Sequence, residues 1–290
     1  MQLVLSTIAQ GLLWAVLAIG VFITYRILDV ADLTIEGTNP LGACIAVMAI
    51  TDGQSPLVAV VYAFLGGCVA GAVTGILHTK FQIPALLAGI LTMIGLYSVN
   101  LRIMGRATTS ILGLDTVYTY FESMNKVTSA LIVGFIATAL VWVFCYTFFG
   151  TELGAAIRAT GDNPQMIRAQ GVNTDTTIIL GLVLSNGLVA ITGALLAQSN
   201  GYADVGMGTG TIVTGLASII IGEVLFGTRS FKNWLTSVVL GSIAYRAVVA
   251  IVLKMGMNPN DLKLLTAIIV AIALALPLIK SKLQKMRSNA

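Results

Sequence analysis

Charge is what this sequence has least of. Only 16 basic and 12 acidic residues are spread over 290 positions, 10% of the chain, where a soluble domain carries about 25%. The shortfall is uneven. No charged residue precedes Arg26, and none lies between Lys80 and Arg102, between Lys126 and Glu152, or between Asp175 and Asp204. Each gap can hold a helix of about 20 apolar residues, enough to cross about 30 Å of hydrocarbon. With 57% of residues hydrophobic, the composition excludes a soluble enzyme, a nucleic-acid-binding domain and a disordered tail. It defines a polytopic membrane protein.

Reactive side chains are scarce as well. The single histidine, His78, stands beside Lys80 in a predicted cytoplasmic turn and reads as a solvated loop residue rather than a ligand or base. The three cysteines, Cys44, Cys68 and Cys145, fall far apart in apolar segments without CxxC spacing. They read as inert core thiols, neither a disulfide framework nor a metal site. No H-E-x-x-H, G-x-S-x-G or G-x-x-x-x-G-K-[ST] occurs. Gly206-Met207-Gly208-Thr209-Gly210 does not read as a dinucleotide fingerprint, because no strand is predicted ahead of it. No enzyme activity and no cofactor is expected on this chain. If it moves a solute uphill with ATP, hydrolysis must sit on another chain.

The net charge of +4 could suggest nucleic acid, but Lys280, Lys282, Lys285 and Arg287 crowd into a short tail after the last apolar stretch. That pattern marks a cytoplasmic end facing anionic lipid. The amino terminus has neither a basic lead-in nor a cleavage signal, so the first apolar stretch is expected to stay as a helix.

The fold class expected is all-α, a single transmembrane domain over residues 1–290. Nine spans are predicted, at about 3–25, 37–51, 56–77, 82–100, 128–149, 177–199, 207–227, 233–253 and 262–280. With the basic tail inside, counting back puts the amino terminus outside. Arg26, Lys80, Arg158, Arg168, Arg229, Lys232 and the tail then lie inside, and Arg102, Arg106, Lys126, Lys254 and Lys263 outside. Basic residues are thus about twice as frequent inside, as the positive-inside rule asks.

Two spans are irregular. The second, at about 22 Å by a rise of 1.5 Å per residue, is too short for the bilayer. It is expected to start at Gly37-Thr38-Asn39-Pro40, with Thr38 or Asn39 as cap and Pro40 in the first turn. The seventh opens with Gly201, Gly206, Gly208 and Gly210. Broken helices survive in a bilayer only where protein or a wet cavity satisfies the freed backbone. One in each half of the chain, oppositely oriented, suggests the inverted repeat of transporters. Gly67, Gly71 and Gly75 form a small-residue ridge for close packing within the chain.

The most informative polar stretch is the predicted cytoplasmic loop at about 150–177. Thr151 caps a helical turn that continues to Thr160, and Gly161 is expected to break it. A second short helix has its own punctuation: Asp162 or Asn163 as cap, Pro164 first, Arg168 in the last turn and Gly171 as stop. A plain connector needs only a few residues. A short helix capped at both ends suits a rigid docking knob, or a surface helix lying on lipid.

Here the residues carry a resemblance. The run Gly154-Ala155-Ala156-Ile157-Arg158-Ala159-Thr160-Gly161-Asp162-Asn163-Pro164 through Gly171-Val172-Asn173 resembles the cytoplasmic signature of ABC-importer permeases of the branched-chain amino acid and ribose permease family. Asp32-Leu33-Thr34-Ile35-Glu36-Gly37 before Pro40-Leu41-Gly42-Ala43 is similar to the stretch ahead of that family's second helix. Gly208-Thr209-Gly210 through Gly215–Gly222 is similar to its glycine-rich late segment. The matches are ordered, correctly spaced and cover nearly the whole chain. Within the family the chain looks most like permeases of aromatic amino acid (tryptophan/tyrosine-type) importers. It departs from the sugar branch at Glu36, Glu223 and the GEVLFGTRSF stretch, and lacks that branch's cytoplasmic lead-in and extra first helix.

The resemblance implies an importer permease in the bacterial plasma (inner) membrane. Its partners would be an ATPase subunit carrying the ATP and Mg, an external solute-binding protein, a second permease copy and membrane lipid, with no nucleic acid. It implies that Arg158, Gly161, Asp162, Asn163, Pro164, Arg168, Gly171 and Asn173 couple to the ATPase. In the external loop at about 101–127, Arg102, Arg106 and Glu122 are candidate contacts for the binding protein. Candidate pathway residues are Asp32, Glu36, Thr38, Asn39, Asn186 and Glu223. For Asp32 and Glu36 the competing reading is that they cap the half helix, and Asn100, Asn186 and Gln198 could serve as interhelical glue. Glu223 and Arg246 are the charges inside predicted spans, and whether they pair stays open. The alternatives to this reading are an ion-gradient-driven transporter and an ABC permease for a sugar or another small solute.

Overall fold

In the computed structural model, residues 2–121, 124–255, 264, 266–268 and 271 are described. The expected ninth span lies largely outside them, as do Glu122 and the basic tail. The other eight predicted spans are all helices. They are α1 (Gln2–Phe22, continued by a π turn at Ile23–Ile27), α2 (Ile35–Thr51), α3 (Pro56–Thr79), α4 (Ala85–Met104), α5 (Lys126–Phe148), α8 (Thr174–Asn200), α9 (Thr211–Phe226) and α10 (Phe231–Lys254). Between α5 and α8 lie the short α6 (Glu152–Asp162) and α7 (Pro164–Ala169). Six of these helices are long and apolar enough to cross a membrane, whereas α2 and α9 have 17 and 16 residues.

The helices sort by enclosure. In α8 and α1, 67% and 61% of the apolar window is buried, against 28% in α4 and in α5. So α1 and α8 form the axis of the bundle, and α4 and α5 keep most of their apolar surface outward. Around the axis, Leu17 and Phe22 of α1 meet Leu182 and Val189 of α8 and Leu235 and Val238 of α10. The Trp234 ring stands edge-on to Phe22 at 4.9 Å. The Gly67, Gly71 and Gly75 ridge of α3 packs on α8, as expected. A Cβ on Gly71 would lie 2.3 Å from the Leu182 carbonyl oxygen, so only glycine allows this approach.

One end of the bundle carries two three-residue strands, β1 (Thr108–Ser110) and β2 (Tyr202–Asp204), paired antiparallel with Thr108 opposite Asp204. They tie the α4–α5 loop to the chain leaving α8. Gln198 reinforces the tie by accepting from the Val117 N–H at 2.8 Å, and the Tyr118 hydroxyl donates to the Leu195 carbonyl at 3.1 Å. Burial pushes the Tyr118 phenol above its ordinary range. The other end carries α6 and α7.

Three local expectations are corrected. First, Thr38 and Asn39 do not cap α2. The helix starts at Ile35, with Thr34 at the N-cap and Pro40 inside it. Pro40 lacks the N–H that would bond the Glu36 carbonyl, and the Gly208 backbone packs there, a Cβ on Gly208 falling 1.9 Å from that oxygen. Second, Gly161 does not break α6, which runs on to Asp162; the break falls at Asn163, with φ −157°. Gly161 serves a close contact instead, since a Cβ there would lie 1.9 Å from the Ile27 carbonyl oxygen. Third, His78 is not a solvated loop residue. It sits partly buried in the last turn of α3, its Nδ1 2.8 Å from the Ile83 carbonyl, and closes the turn into α4.

Candidate functional site

Three groups of polar side chains interrupt the apolar spans. The first surrounds the start of α2. Asp32, 2% exposed, accepts from the Thr34 N–H at 2.9 Å and from the Asn186 side chain at 2.8 Å. Thr38 donates to Asn186 Oδ1 at 2.8 Å. A chain of hydroxyls continues outward, Thr34 to Thr74 at 2.8 Å and Thr74 to Thr92 at 3.0 Å. Asn100 donates to the Gly37 carbonyl at 3.2 Å. The network therefore stitches α2 to α3, α4 and α8. Asn186, Asn100 and Gln198 all make bonds between elements, the interhelical use expected of them.

At the second group the two shorter helices, α2 and α9, meet. Glu36, in the first turn of α2, accepts from the Gly210 N–H at 2.9 Å, and Gly210 is the N-cap residue of α9. A carboxylate at a helix N-terminus satisfies an orphan donor and faces the positive end of the macrodipole. Asp32 holds the entry to α2 and Glu36 the entry to α9, so capping describes both carboxylates, though Glu36 caps the other helix.

The third group answers the question of Glu223. It does not pair with Arg246. Its carboxylate takes a two-pronged bond from Arg26, with Nε at 2.8 Å and Nη2 on the second oxygen, and a third from Trp234 Nε1 at 2.8 Å. This joins the end of α1 to α9 and α10. Arg246 instead lays its guanidinium 4.0 Å over the Trp14 ring. Composition pointed to neither partner. The available signal was that Arg26 closes the first apolar run and Glu223 nearly closes the seventh, which puts both at the same level of the bundle.

Apart from the break at Asn163 in place of Gly161, the 150–177 segment follows its punctuation. Thr151 caps α6 by accepting from the Gly154 N–H at 3.3 Å, and Asn163 caps α7 by accepting from Met166 N–H at 3.0 Å, with Pro164 first. Gly171, at φ +87°, ends the turn, and Asn173 caps α8. Ile157 and Ile167 point into the bundle, while Leu153 and Met166 are 58% and 47% exposed. The knob is anchored twice. Gly161 presses on Ile27 at the end of α1, and Thr160 and Thr177 share a hydroxyl bond at 2.8 Å.

The charges of the knob differ in their ties. Arg158 is exposed and lies 4.9 Å over the Phe231 ring. Arg168 turns back to the Thr174 hydroxyl and to Asp175 at 3.6 Å, and Lys80 reaches the same Asp175 at 2.9 Å. A wide cleft of about 670 Å³ between His78, Arg168 and Asn173 opens beside them. Asp162 is exposed. At the opposite end, Arg102 closes α4 and Arg106 donates to the Thr109 hydroxyl at 3.2 Å.

Comparison with known proteins adds a consistent result. Residues 3–275 match the family described as branched-chain amino acid transport system / permease component. The chain is 42% identical over 286 residues to the tyrosine transport system permease protein of Clostridioides difficile (strain R20291), covering 99% of this chain and 95% of that one. It is 32% identical over 280 residues to an uncharacterized protein of Rickettsia prowazekii (strain Madrid E), covering 95% and 98%. Among solved structures it is similar to PsaBC from Streptococcus pneumoniae in complex with Fab, with TM-score 0.54 at 12% identity over 93% of this chain and 89% of that chain. A metal-chelate-type ABC transporter in an inward-facing conformation gives TM-score 0.52 at 17% identity, over 96% and 85%. At these identities the structural likeness speaks for the fold.

Proposed function

The chain belongs to the family of branched-chain amino acid transport permeases, and from that premise we propose that it carries an amino acid of the aromatic class inward across a bacterial plasma membrane. It is an ABC permease, multi-pass and all-α. The permease family is not itself catalytic, so ATP and Mg belong on a separate ATPase subunit. An external binding protein would deliver the solute, and two copies of this chain would enclose the path. The aromatic class rests on the relative from Clostridioides difficile, which is named a tyrosine permease.

One observation carries the reading, namely the doubly capped knob α6–α7. Its inner face is locked to α1 and α8, and its outer face offers Leu153, Met166 and Arg158. A rigid element with an exposed apolar and basic face suits a groove on a cytoplasmic ATPase. Through Gly161 against Ile27 it would pass the movement of that ATPase to the central helix as a rigid body. Asn163, Pro164, Gly171 and Asn173 hold its shape, and Arg158 and Arg168 supply charge. On this orientation the amino terminus and the β1–β2 end face outside.

The experiment is ATP-driven uptake of tyrosine by the complete complex in proteoliposomes. Arg158→Glu with Arg168→Glu is expected to lower uptake at least about tenfold, a loss of about 1.4 kcal/mol of coupling or docking, and to reduce co-purification of the ATPase. Unchanged uptake and recovery would remove the docking role. At the other end, neutralising Arg102 and Arg106 is expected to weaken binding-protein-dependent uptake more at high ionic strength than at low, because surface docking charges are screened. An ion-gradient mechanism is less well supported, since Asp32, the most buried carboxylate among the described residues, already has both oxygens engaged.

A further inference from the structure

Among the described residues, Asn39 is a buried side chain whose polar atoms are both left unmatched. It is wholly buried, yet neither its Nδ2 nor its Oδ1 finds a hydrogen-bond partner among the described residues. It lines a cavity of about 230 Å³ between α1, α2, α8 and α10. Facing it in that cavity are Trp14 and Arg246, whose guanidinium lies on the Trp14 ring at 4.0 Å and whose Nε also lacks a partner among the described residues. The carboxylates Asp32, Glu36 and Glu223 are committed elsewhere, to Asn186, Gly210 and Arg26. Gln10, Ser199 and Asn200, all exposed, form the mouth of the cavity toward the β1–β2 end. On its far side Arg246 also borders a second cavity of about 280 Å³ beside Thr209, Gly210 and Thr214.

A cation inside a span is costly and is usually paired. A buried amide with both atoms idle is equally unusual. Their coincidence in one cavity, with the cation seated on an indole, is the arrangement that a small zwitterion completes. A guanidinium fork takes a carboxylate through two parallel bonds, and the indole face supports the cation from behind without neutralising it. An amide can accept from an ammonium and donate to a carboxylate at once.

We propose that this cavity is a substrate site within the permease, in which Arg246 binds the α-carboxylate of a free amino acid and Asn39 receives its α-ammonium. The site rests on the reading of the chain as an amino acid permease and adds a point of chemical selection inside it. Because Arg246 borders both cavities, it stands where the solute passes from the first into the second.

The test is direct binding of radiolabelled tyrosine to the permease–ATPase complex in lipid nanodiscs, with the binding protein omitted. Wild type should bind tyrosine, and tyrosinamide, which lacks the carboxylate, should compete about tenfold or more worse, as loss of a charge-assisted fork requires. The deaminated acid, 3-(4-hydroxyphenyl)propionate, should also compete worse, through Asn39. Arg246→Met should weaken binding about tenfold or more, Arg246→Lys less, and Asn39→Ala should abolish the preference for tyrosine over the deaminated acid. Equal competition by tyrosinamide on wild type overturns the proposal, as does unchanged affinity in Arg246→Met. The same holds if a wild-type complex takes up tyrosine yet binds none. The ligand comparison uses wild type, so it stands even if a variant does not fold. Should the wild-type complex take up no amino acid at all, the functional reading fails first and this site falls with it.

Discussion

Gly193→Leu is expected to leave almost no folded protein. Gly193 lies where α8 crosses α2, and a Cβ there would fall 1.9 Å from the Asn39 carbonyl oxygen and 3.2 Å from the Ala43 nitrogen. Both contacts are backbone, so no side chain can swing aside. Gly42 makes the same crossing from the other helix, a Cβ on it lying 2.0 Å from the Ala190 carbonyl oxygen. Overpacking a core costs about 1–3 kcal/mol when neighbours can shift, and here the shift must separate two helices along the Asp32–Asn186–Thr38 network. Fluorescence-detected size exclusion should show recovery reduced to about a tenth or less, the ratio that about 1.4 kcal/mol already produces. Gly193→Ala should fall between. Gly95→Ala is the internal contrast. Gly95 is exposed on α4 with nothing within 4 Å of a Cβ, and a helical Gly→Ala change stabilises by up to about 1 kcal/mol. Normal recovery of Gly193→Leu would mean that α2 and α8 do not cross as described.

The second large effect is expected at Asp32. Replacing it by leucine strips the acceptor from the Thr34 N–H and from one N–H of Asn186, leaving buried donors that cost about 1–3 kcal/mol each. Asn186 keeps the Leu182 carbonyl for its other N–H, at 3.0 Å. Adding Asn186→Leu removes that orphan, and Thr38 can fall back on the Thr34 carbonyl at 3.1 Å. The double variant should therefore be more stable than Asp32→Leu alone, by about 1 kcal/mol or more. Asp32→Asn, which can still accept, should be the mildest of the series. Thermal midpoints of the purified protein read the order directly. A double variant as unstable as the sum of its singles would show that Asp32 and Asn186 act independently.

The spans were legible because hydropathy is additive along the chain. Eight predicted spans match helices, and the short second span was already short in the sequence. The caps of α6 and α7 were legible for a different reason: Thr151 and Asn163 accept from donors three residues away and Pro164 at the first position needs no partner, so the information is local. The start of α2 was misread because Thr38-Asn39-Pro40 has the local chemistry of a helix start, while the tertiary fit of Gly208 against Glu36 admits a proline in the helix. The sequence placed Arg26 and Glu223 at one level of the bundle but did not join them. Arg26 is 197 residues away, and no local rule joins them. Arg246 showed as a charge inside a span, but its seat on Trp14 depends on how α1 and α10 are rotated. Hydropathy does not encode that rotation.

The bond between Glu36 and Gly210 has a consequence for biogenesis. It spans 174 residues, and a chain inserted from its amino terminus exposes Glu36 long before Gly210 is synthesised. Until then α2 is a short helix whose carboxylate lacks its Gly210 partner, in a solvent that punishes both defects. The same delay holds for α1, which receives the Ser242 hydroxyl on its Gly11 carbonyl only after a further 231 residues. The insertion machinery must therefore shelter the first half of the protein, and ribosomes that stop before α9 should leave fragments destined for membrane proteolysis.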